Sequence, residues 1–402
     1  MENILGQKKV DTFIENVIDN LYIEDISGRL LIYASFPNFK VEEYISGIPI
    51  AIKGKLNQNG VFIFDDYIFY SNIIDEENIN INEIQSENNE QLIDEKEHND
   101  NSKNISSIKK SIEQIENDDT KDSFLFISNL NLGKISEYND RLKPCIRTLL
   151  IDFIQNNNNI NNTLYQYSNK INRIILVGNS LNTFESEIEK KLIFDKTSPN
   201  LENINQRILD NYLLFNNFLN IISNYIYIDV MPSLHSNDDL KYPQSPLNKL
   251  LFTENIPNIN FSSLNLVPNP YFFDIFVPSM NKRKYFIGTS GENINIIKQY
   301  SSFEKDIDVM KKNIEWRHLC PIDPSYSTLY SLDNKTDPLI LNKIPDVYFT
   351  SSGNKELNYE KIKIKNKDII FISLPDFDKT SKCVLYNYKD DSIKQIDFSF
   401  DF

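Results

Sequence analysis

Three stretches in the first seventy residues carry apolar positions in short strand-like runs. "LYIEDISGRLLIYA", "GIPIAIKGKL" and "GVFIFDDYIFY" predict β-strands separated by turns. Within them "LNQNGVFIF", Leu56 to Phe64, predicts a hairpin, with Asn59-Gly60 suited to a left-handed turn. Ahead of these, Val10, Phe13, Ile14, Val17, Ile18 and Leu21 fall at helical spacing. So short and strand-rich a module predicts a small barrel. From Phe124 the pattern changes. Phe124–Ser128, Arg173–Val177, Tyr225–Val230, Tyr285–Gly288, Asp346–Thr350, Asp368–Ser373 and Cys383–Tyr388 predict strands. Leu201, Ile204, Ile208, Phe215, Leu219 and Ile222 predict one intervening helix, and Phe303, Ile307, Met310 and Ile314 another. Strands alternating with helices imply an α/β layered domain whose functional loops follow the C-terminal ends of the strands.

Composition divides the chain. Asp75 to Asp122 is rich in Asn, Glu, Asp and Lys and lacks aromatics, so it predicts a disordered acidic insert. Asn156 to Asn162 predicts an expanded surface loop. The expected division is 1–74, a β-barrel module; 75–122, the insert; and 123–402, the α/β domain. The whole chain has 402 residues, 40% of them hydrophobic, enough to bury a full-sized core. No stretch approaches the roughly 18 apolar residues of a membrane span, and "MENILGQKKV" lacks the segments of a signal peptide. Cys145, Cys320 and Cys383 stand far apart with no CxxC spacing. That excludes a disulfide framework or a cysteine-ligated metal and fits a reducing compartment. A net charge of −15 argues against tight binding to naked nucleic acid, although a local basic groove is compatible with it.

Four strand ends lead into loops of interest: "SNLNLG" (128–133), "LVGNSLNTF" (176–184), "DVMPSLHSNDD" (229–239) and "VYFTSSGNKE" (347–356). Their layout is similar to that of binuclear metallophosphoesterases of the calcineurin-like type. Such a site needs Asp-x-His on the first loop, Gly-Asp with a further acid on the second, Gly-Asn-His on the third and Gly-His-x-His near the end. Two adjacent divalent ions require a bridging carboxylate and several imidazoles if a bound water is to ionise near neutral pH. Here Asn129 and Asn131 stand in the first motif and Asn179 in the second. The third reads Ser233-Leu234-His235, where only the histidine fits, and the last reads Ser351-Ser352-Gly353-Asn354. The chain has three histidines, His98, His235 and His318. Asp229, Asp238 and Asp239 are the acids near these loops, none well placed to bridge two ions. The expected site is therefore degenerate at Asn129, Asn131, Asn179, Leu234, His235, Ser352 and Asn354, with no catalytic residue, no metal and no cofactor.

Two other motifs have plainer readings. "GTSGEN", Gly288 to Asn293, sits like a phosphate cradle between a strand and a helix but lacks a Walker lysine, so strand–turn–helix packing is expected. Trp316-Arg317-His318 ends an amphipathic helix, where an aromatic anchor is more often core than interface.

The motifs, taken together, resemble those of the small (B) subunits of replicative DNA polymerases, and within them the delta type. The matching stretches include "YIEDISGRL", "GKLNQNGVFIFDDYIF", "LVGNSL", "DVMPS", "YPQSPLNKLLF", "LVPNPYFFDI", "FIGTSGENINIIKQYSS", "WRHLCPIDP", "TDPLIL", "PDVYFTSSGN" and "LPDFDKTSKCVLYNY". "GTSGENI", "WRHLCPIDP" and "TDPLI" are the delta-like signatures. The resemblance implies an α/β (α+β) chain: a partial OB-fold β-barrel, N-terminally incomplete, followed by a calcineurin-like phosphoesterase β-sandwich flanked by helices. It also implies a nuclear, non-catalytic accessory subunit in DNA replication and repair synthesis. The implied partners are the cysteine-rich C-terminal domain of the polymerase delta catalytic subunit and the third subunit of that complex, with DNA reached only through them and no membrane. The alternatives are a residual metal-dependent phosphoesterase or nuclease, and a single-stranded DNA-binding OB module. The latter would rely on Tyr33, Phe36 and Phe39 beside Arg29 and Lys40.

Overall fold

Strands β1 (Leu21–Asp25) and β2 (Gly28–Ala34) close on a turn organised by one carboxylate. Asp25 accepts hydrogen bonds from the Ser27 amide and hydroxyl and from the Gly28 amide. The Ser27 hydroxyl does most to hold this carboxyl below its ordinary pKa. The computed structural model describes residues 20–37, 39–69, 121–132, 150–155, 167–181, 201–233, 242–252, 261–322, 337–364 and 367–398. Contacts divide the chain into two units: Met1–Asp94 with Asn293–Ile344, and Glu95–Glu292 with Pro345–Phe402. The helix expected to run to Leu21 ends otherwise, because Leu21 pairs with Ile32 as the first residue of β1. Its remaining positions, 10–19, lie outside the described residues, as does 75–120 of the expected insert. Lys121 and Asp122 are tied to the second unit by Tyr388, whose hydroxyl and amide donate to their carbonyls.

In the first unit β3 (Ile50–Leu56) and β4 (Phe62–Phe69) complete a sheet of order β1-β2-β4-β3. The expected hairpin is present, with Leu56 opposite Phe62. Its turn is held differently from the expectation. Only Gly60 adopts a left-handed φ, while the Asn57 side chain accepts the amides of Asn59 and Val61, each at 2.9 Å. Gly54 sits at the bulge between the two strands, where a Cβ would lie 2.1 Å from the Ile63 carbonyl oxygen. Phe36 and Phe39 are half-buried. They pack with Phe64 and Tyr67, and Phe39 stacks on Tyr44 at 4.5 Å, forming an aromatic cluster on the inner face of the sheet.

The same unit takes in a segment from far along the sequence, the helices Glu292–Gln299 (from Asn293 onward) and Asp306–Trp316. Ser302 donates its amide to the Glu42 carbonyl at 2.9 Å, and Lys312 lies over the Tyr44 ring. The linear division, which keeps 123–402 together, thus differs from the contact pattern. Trp316, Arg317 and His318 are buried, as expected of core residues. Arg317 caps its helix in the left-handed region, and its amide reaches the Asn313 and Ile314 carbonyls. His318 accepts the Cys320 amide on Nδ1, so Nε2 carries the proton donated to Asp337 at 2.8 Å.

The second unit is a two-sheet sandwich. The first sheet contains β5 (Ser123–Ser128), β6 (Ile171–Val177), β7 (Tyr227–Val230) and β8 (Leu264–Leu266), parallel to one another. The second contains β9 (Tyr271–Val277), β10 (Lys282–Thr289), β11 (Val347–Asn354), β12 (Asn358–Ile364) and β13 (Lys367–Pro375). β14 (Lys382–Asn387) and β15 (Ile393–Asp397) extend the first. The orders are β15-β14-β5-β6-β7-β8 and β12-β13-β11-β10-β9.

This arrangement explains why β5 is apolar at four successive positions. Phe124 and Phe126 enter the core shared by the two sheets, with Phe286, Val347, Phe349 and Ile372. Leu125 and Ile127 enter the opposite core, which the helix Leu201–Ser223 covers with Phe215, Phe218, Leu219 and Ile222. A strand covered on both faces has no polar side to show, and each such side chain contributes about 1.5–3 kcal/mol by burial. Among the described residues no helix is long and apolar enough to cross a membrane.

Charges buried in this unit are paired. Asp229, on β7, takes both oxygens to Arg173 at 3.0 and 2.7 Å and also accepts from Asn265 and Tyr271. Burial works against the Arg173 charge, but Asp229 outweighs it and the guanidinium pKa ends above its ordinary value. Asp391 accepts from Lys284, Lys361 and Tyr386. Burial would raise the Asp391 carboxyl, yet the hydrogen bonds from Lys284 and Tyr386 hold it below the usual range. The stabilisation from this depressed carboxyl is fully present above the unfolded value of about 3.9 and is lost as pH falls through the folded value. Asp391 has a φ of 63°, which asparagine also tolerates. Asp391→Asn should therefore destabilise the protein at neutral pH by about 3 kcal/mol, since it strands buried Lys284. Its stability should then fall less steeply than that of the parent below about pH 4. Urea denaturation at a series of pH values measures both.

Candidate functional site

The parallel strands of both sheets end in the same place. Ser128 and Asp376 form a bridge across the two sheets, and the Ser128 hydroxyl donates to the Pro375 carbonyl. The loops after β5 and β6 then run side by side. Asn129, Asn131 and Leu132 donate their amides to the carbonyls of Val177, Asn179 and Ser180 at 2.9–3.0 Å. To keep this register the chain turns at Asn129 and Asn131, with φ of 49° and 47°. Asparagine is among the few residues other than glycine that enter this region readily. Sequence alone pointed to both positions as lost ligands; the backbone gives them a structural task.

The Asn129 side chain is occupied as well. The Asn179 amide donates to Asn129 Oδ1 at 3.1 Å, and the Ser233 hydroxyl donates to Asn179 Oδ1. Gly178, with φ of 81°, lies against this group. A Cβ there would be 2.7 Å from Asn129 Oδ1 and 3.2 Å from the hydroxyl of Ser351, which is itself buried. Thus the structure brings Asn129, Asn179, Ser233 and Ser351 together. Asn354 lies nearby on β11, where its amide donates to Ser373 Oγ at 2.7 Å and its carbonyl accepts the Asp376 amide. Leu234, His235, Asp238 and Asp239 lie outside the described residues, and the Ser352 side chain is likewise not described.

Sequence reading missed one acid. Asp376 follows β13 directly, is buried, and pairs with Lys379 at 2.7 Å. The rule that chemistry sits after the strand ends pointed to it, since β13 was itself expected. It corrects the count of acids near these loops, from which Asp229 is removed by its pairing with Arg173 inside the fold. Lys379 also places its ammonium near Gly353, 3.9 Å from where a Cβ would stand.

A second group of motifs meets beside the first. The Ser290 amide donates to Asn269 Oδ1, and its hydroxyl donates to the Pro232 carbonyl at 2.6 Å. Asn269 donates from its side chain to Gln244 and Glu292, and its backbone exchanges both hydrogen bonds with that of Gln244. "DVMPS", "YPQSP", "LVPNP" and "GTSGEN" thereby converge on one buried knot. The "GTSGEN" turn commits its Ser290 amide to Asn269 and is packing, as expected, with no amide cradle for phosphate at that residue.

Chemically, the donor set is neutral amides and hydroxyls, with Asn129, Asn179 and Ser233 bonded to one another and the buried Ser351 hydroxyl packed beside them without a hydrogen bond among the described residues, plus one carboxylate paired with a lysine. Among the described residues no three His, Cys, Asp or Glu side chains stand close enough to hold a metal ion. The described residues at these strand ends would by themselves leave most of the four positive charges of a divalent pair uncompensated. Cys320 and Cys383 are buried free thiols in separate places, and burial pushes the Cys383 pKa up.

Comparison with known proteins adds the following. A family model for the B subunit of DNA polymerases alpha and epsilon matches residues 124–358, and one described as "DNA polymerase delta subunit OB-fold domain" matches residues 2–67. The chain is 24% identical over 386 residues to the DNA polymerase delta small subunit of Oryza sativa subsp. japonica, covering 96% of this chain and 75% of that one. It is 25% identical over 386 residues to the small subunit of Arabidopsis thaliana, covering 95% and 73%. To DNA polymerase delta subunit 2 of Drosophila melanogaster it is 24% identical over 176 residues, covering 43% and 38%. Among solved structures, an archaeal phosphodiesterase aligns with a TM-score of 0.29 at 11% identity, over 68% of this chain and 99% of that one.

The crowding at the strand ends is directly measurable. Gly178→Ala should cost about 1–3 kcal/mol, from a positive φ and from the clash with Asn129. Gly353→Ala shares the positive φ, at 86°, but meets only the end of Lys379 and should cost about 1 kcal/mol. Equal losses in denaturant melts would mean that the Asn129–Ser351 group is not packed as described.

Proposed function

The chain belongs to the family of DNA polymerase alpha/epsilon B subunits, whose model covers more than half of it, and from that premise we propose that it is a non-catalytic accessory subunit of DNA polymerase delta. In this reading it works in the nucleus, in replication and repair synthesis. It holds together the cysteine-rich C-terminal domain of the catalytic subunit and a third subunit, and DNA is reached through the complex. The delta small subunits that align along nearly the whole chain support the polymerase delta role.

One observation carries the accessory role over a hydrolytic one. Where the strand ends meet, Asn129, Asn179 and Ser233 are bonded to one another instead of presenting carboxylates and imidazoles. An amide both donates and accepts, so such a group closes on itself without charge. A water-activating site needs the reverse, open anionic donors that a cation completes. The Asp376–Lys379 pair adds no such donor, because its charge is already met.

The test has two arms. Co-expressed with the catalytic subunit's C-terminal domain, the chain should purify as a stoichiometric complex; separate elution of two folded proteins would remove the accessory reading. Incubated with Mn²⁺ and bis-para-nitrophenyl phosphate, it should neither retain metal in elemental analysis nor turn over. Stoichiometric metal, with turnover abolished by His235→Ala, would restore the phosphoesterase reading.

A further inference from the structure

Among the described residues β12 is the last strand of its sheet and pairs on one side only, with β13, in an unbroken register from Asn358–Ser373 to Ile364–Lys367. Five of its seven residues are exposed, including Tyr359 at 54%. Seven residues without a bulge or a proline is a long, regular edge, and such an edge is a template for another strand. Its side chains carry a pattern. Tyr359, Lys361 and Lys363 alternate, so they share one face of the strand.

The surroundings are basic in a chain whose net charge is −15. Lys284 and Lys361 share Asp391, and Lys282 and Lys367 share Asp346, so four ammoniums meet two carboxylates. Asp368 stands opposite Lys363 in the pairing with β13, and Glu360 points to the other face. The Lys361 and Lys282 side chains remain more than half exposed.

We propose that the outer edge of β12 takes up an extended acidic segment of a partner protein as an additional strand. Backbone N–H and C=O groups on the edge would supply the pairing. Alternate acidic side chains of the incoming strand would lie across from Lys361 and Lys363, where opposite charges directly opposed stabilise a strand pair. A second copy of this chain is a poor occupant. Antiparallel pairing of two β12 strands about Lys361 or Ile362 sets lysine against lysine, which is destabilising. A nucleic acid could use the ammoniums but not the row of backbone donors and acceptors. The proposal rests on the accessory reading for the existence of a partner and names one kind of segment it would accept.

The experiment uses the full chain and a labelled peptide of about seven residues, the usual strand length, alternating Glu with Val. Fluorescence anisotropy should show saturable binding, and hydrogen exchange should show added protection at β12 amides. Lys361→Gln/Lys363→Gln should weaken binding about tenfold, and Lys363→Gln alone, which leaves the Lys361–Asp391 pair intact, should weaken it in part with an unchanged melting temperature. A peptide of the same composition with its glutamates gathered at one end should bind at least tenfold less well. Equal binding of that peptide or of oligothymidylate, absence of protection at β12, or concentration-dependent dimers paired through β12 would each overturn the proposal. A chain that binds the peptide yet elutes apart from the catalytic subunit's C-terminal domain would keep this inference and lose the accessory reading. The opposite result would do the reverse.

Discussion

Bringing the ends of parallel strands from two sheets to one place leaves a set of polar groups that the rest of the second unit is arranged around. Each strand end releases backbone amides and carbonyls where the cores on either side leave little room for water. A buried group without a partner costs about 1–3 kcal/mol, so the ends must be satisfied by an ion, a ligand or one another. This chain takes the third course. Backbone runs beside backbone from Asn129 to Leu132 and from Val177 to Ser180, and asparagine side chains complete the set. The two left-handed turns at Asn129 and Asn131 make that parallel run possible.

The same logic separates the two strongest carboxylate clusters from chemistry. Asp229 is wholly buried and commits its oxygens to Arg173, Tyr271 and Asn265. Losing Arg173 would leave an uncompensated charge in a dry interior, and losing Asn265 or Tyr271 would leave that charge short of a hydrogen bond, so each partner holds the cluster in place. Asp391 is less deep and tolerates two lysines and a tyrosine. The first fastens β6 to β7 inside the sandwich, whereas the second stands at its edge, where a charged neighbour can still be exchanged for another.

Much of this was legible in the residues and some was not. A run such as Phe124–Ile127 signals a strand buried on both faces, and every strand expected after it is present with ends shifted by at most four residues. β9 was hidden in a stretch noticed as a motif, although its buried positions alternate from Tyr271 to Val277. β12 offered mostly exposed polar side chains, and nothing local marks such a strand until its neighbour β13 is in place. At the site, the replaced ligands at Asn129 and Asn179 were visible as substitutions, but not their hydrogen bonds to one another. Nor could the residue string reveal that 293–344 packs with the N-terminal sheet, since that grouping depends on contacts such as Ser302 with Glu42, about 260 positions apart.

The closure of the strand ends is therefore distributed over several residues. Turning Asn129 into aspartate would keep an acceptor for the Asn179 amide but add a charge facing neutral groups. Asn179 would still be engaged by Ser233, and Asp376 would still be held by Lys379. Among the described residues, such a change would leave Asn179, Ser233 and Asp376 held as before, so the joins between the strand ends do not hang on any one side chain. A body whose strand ends are closed in this way gains rigidity from those joins.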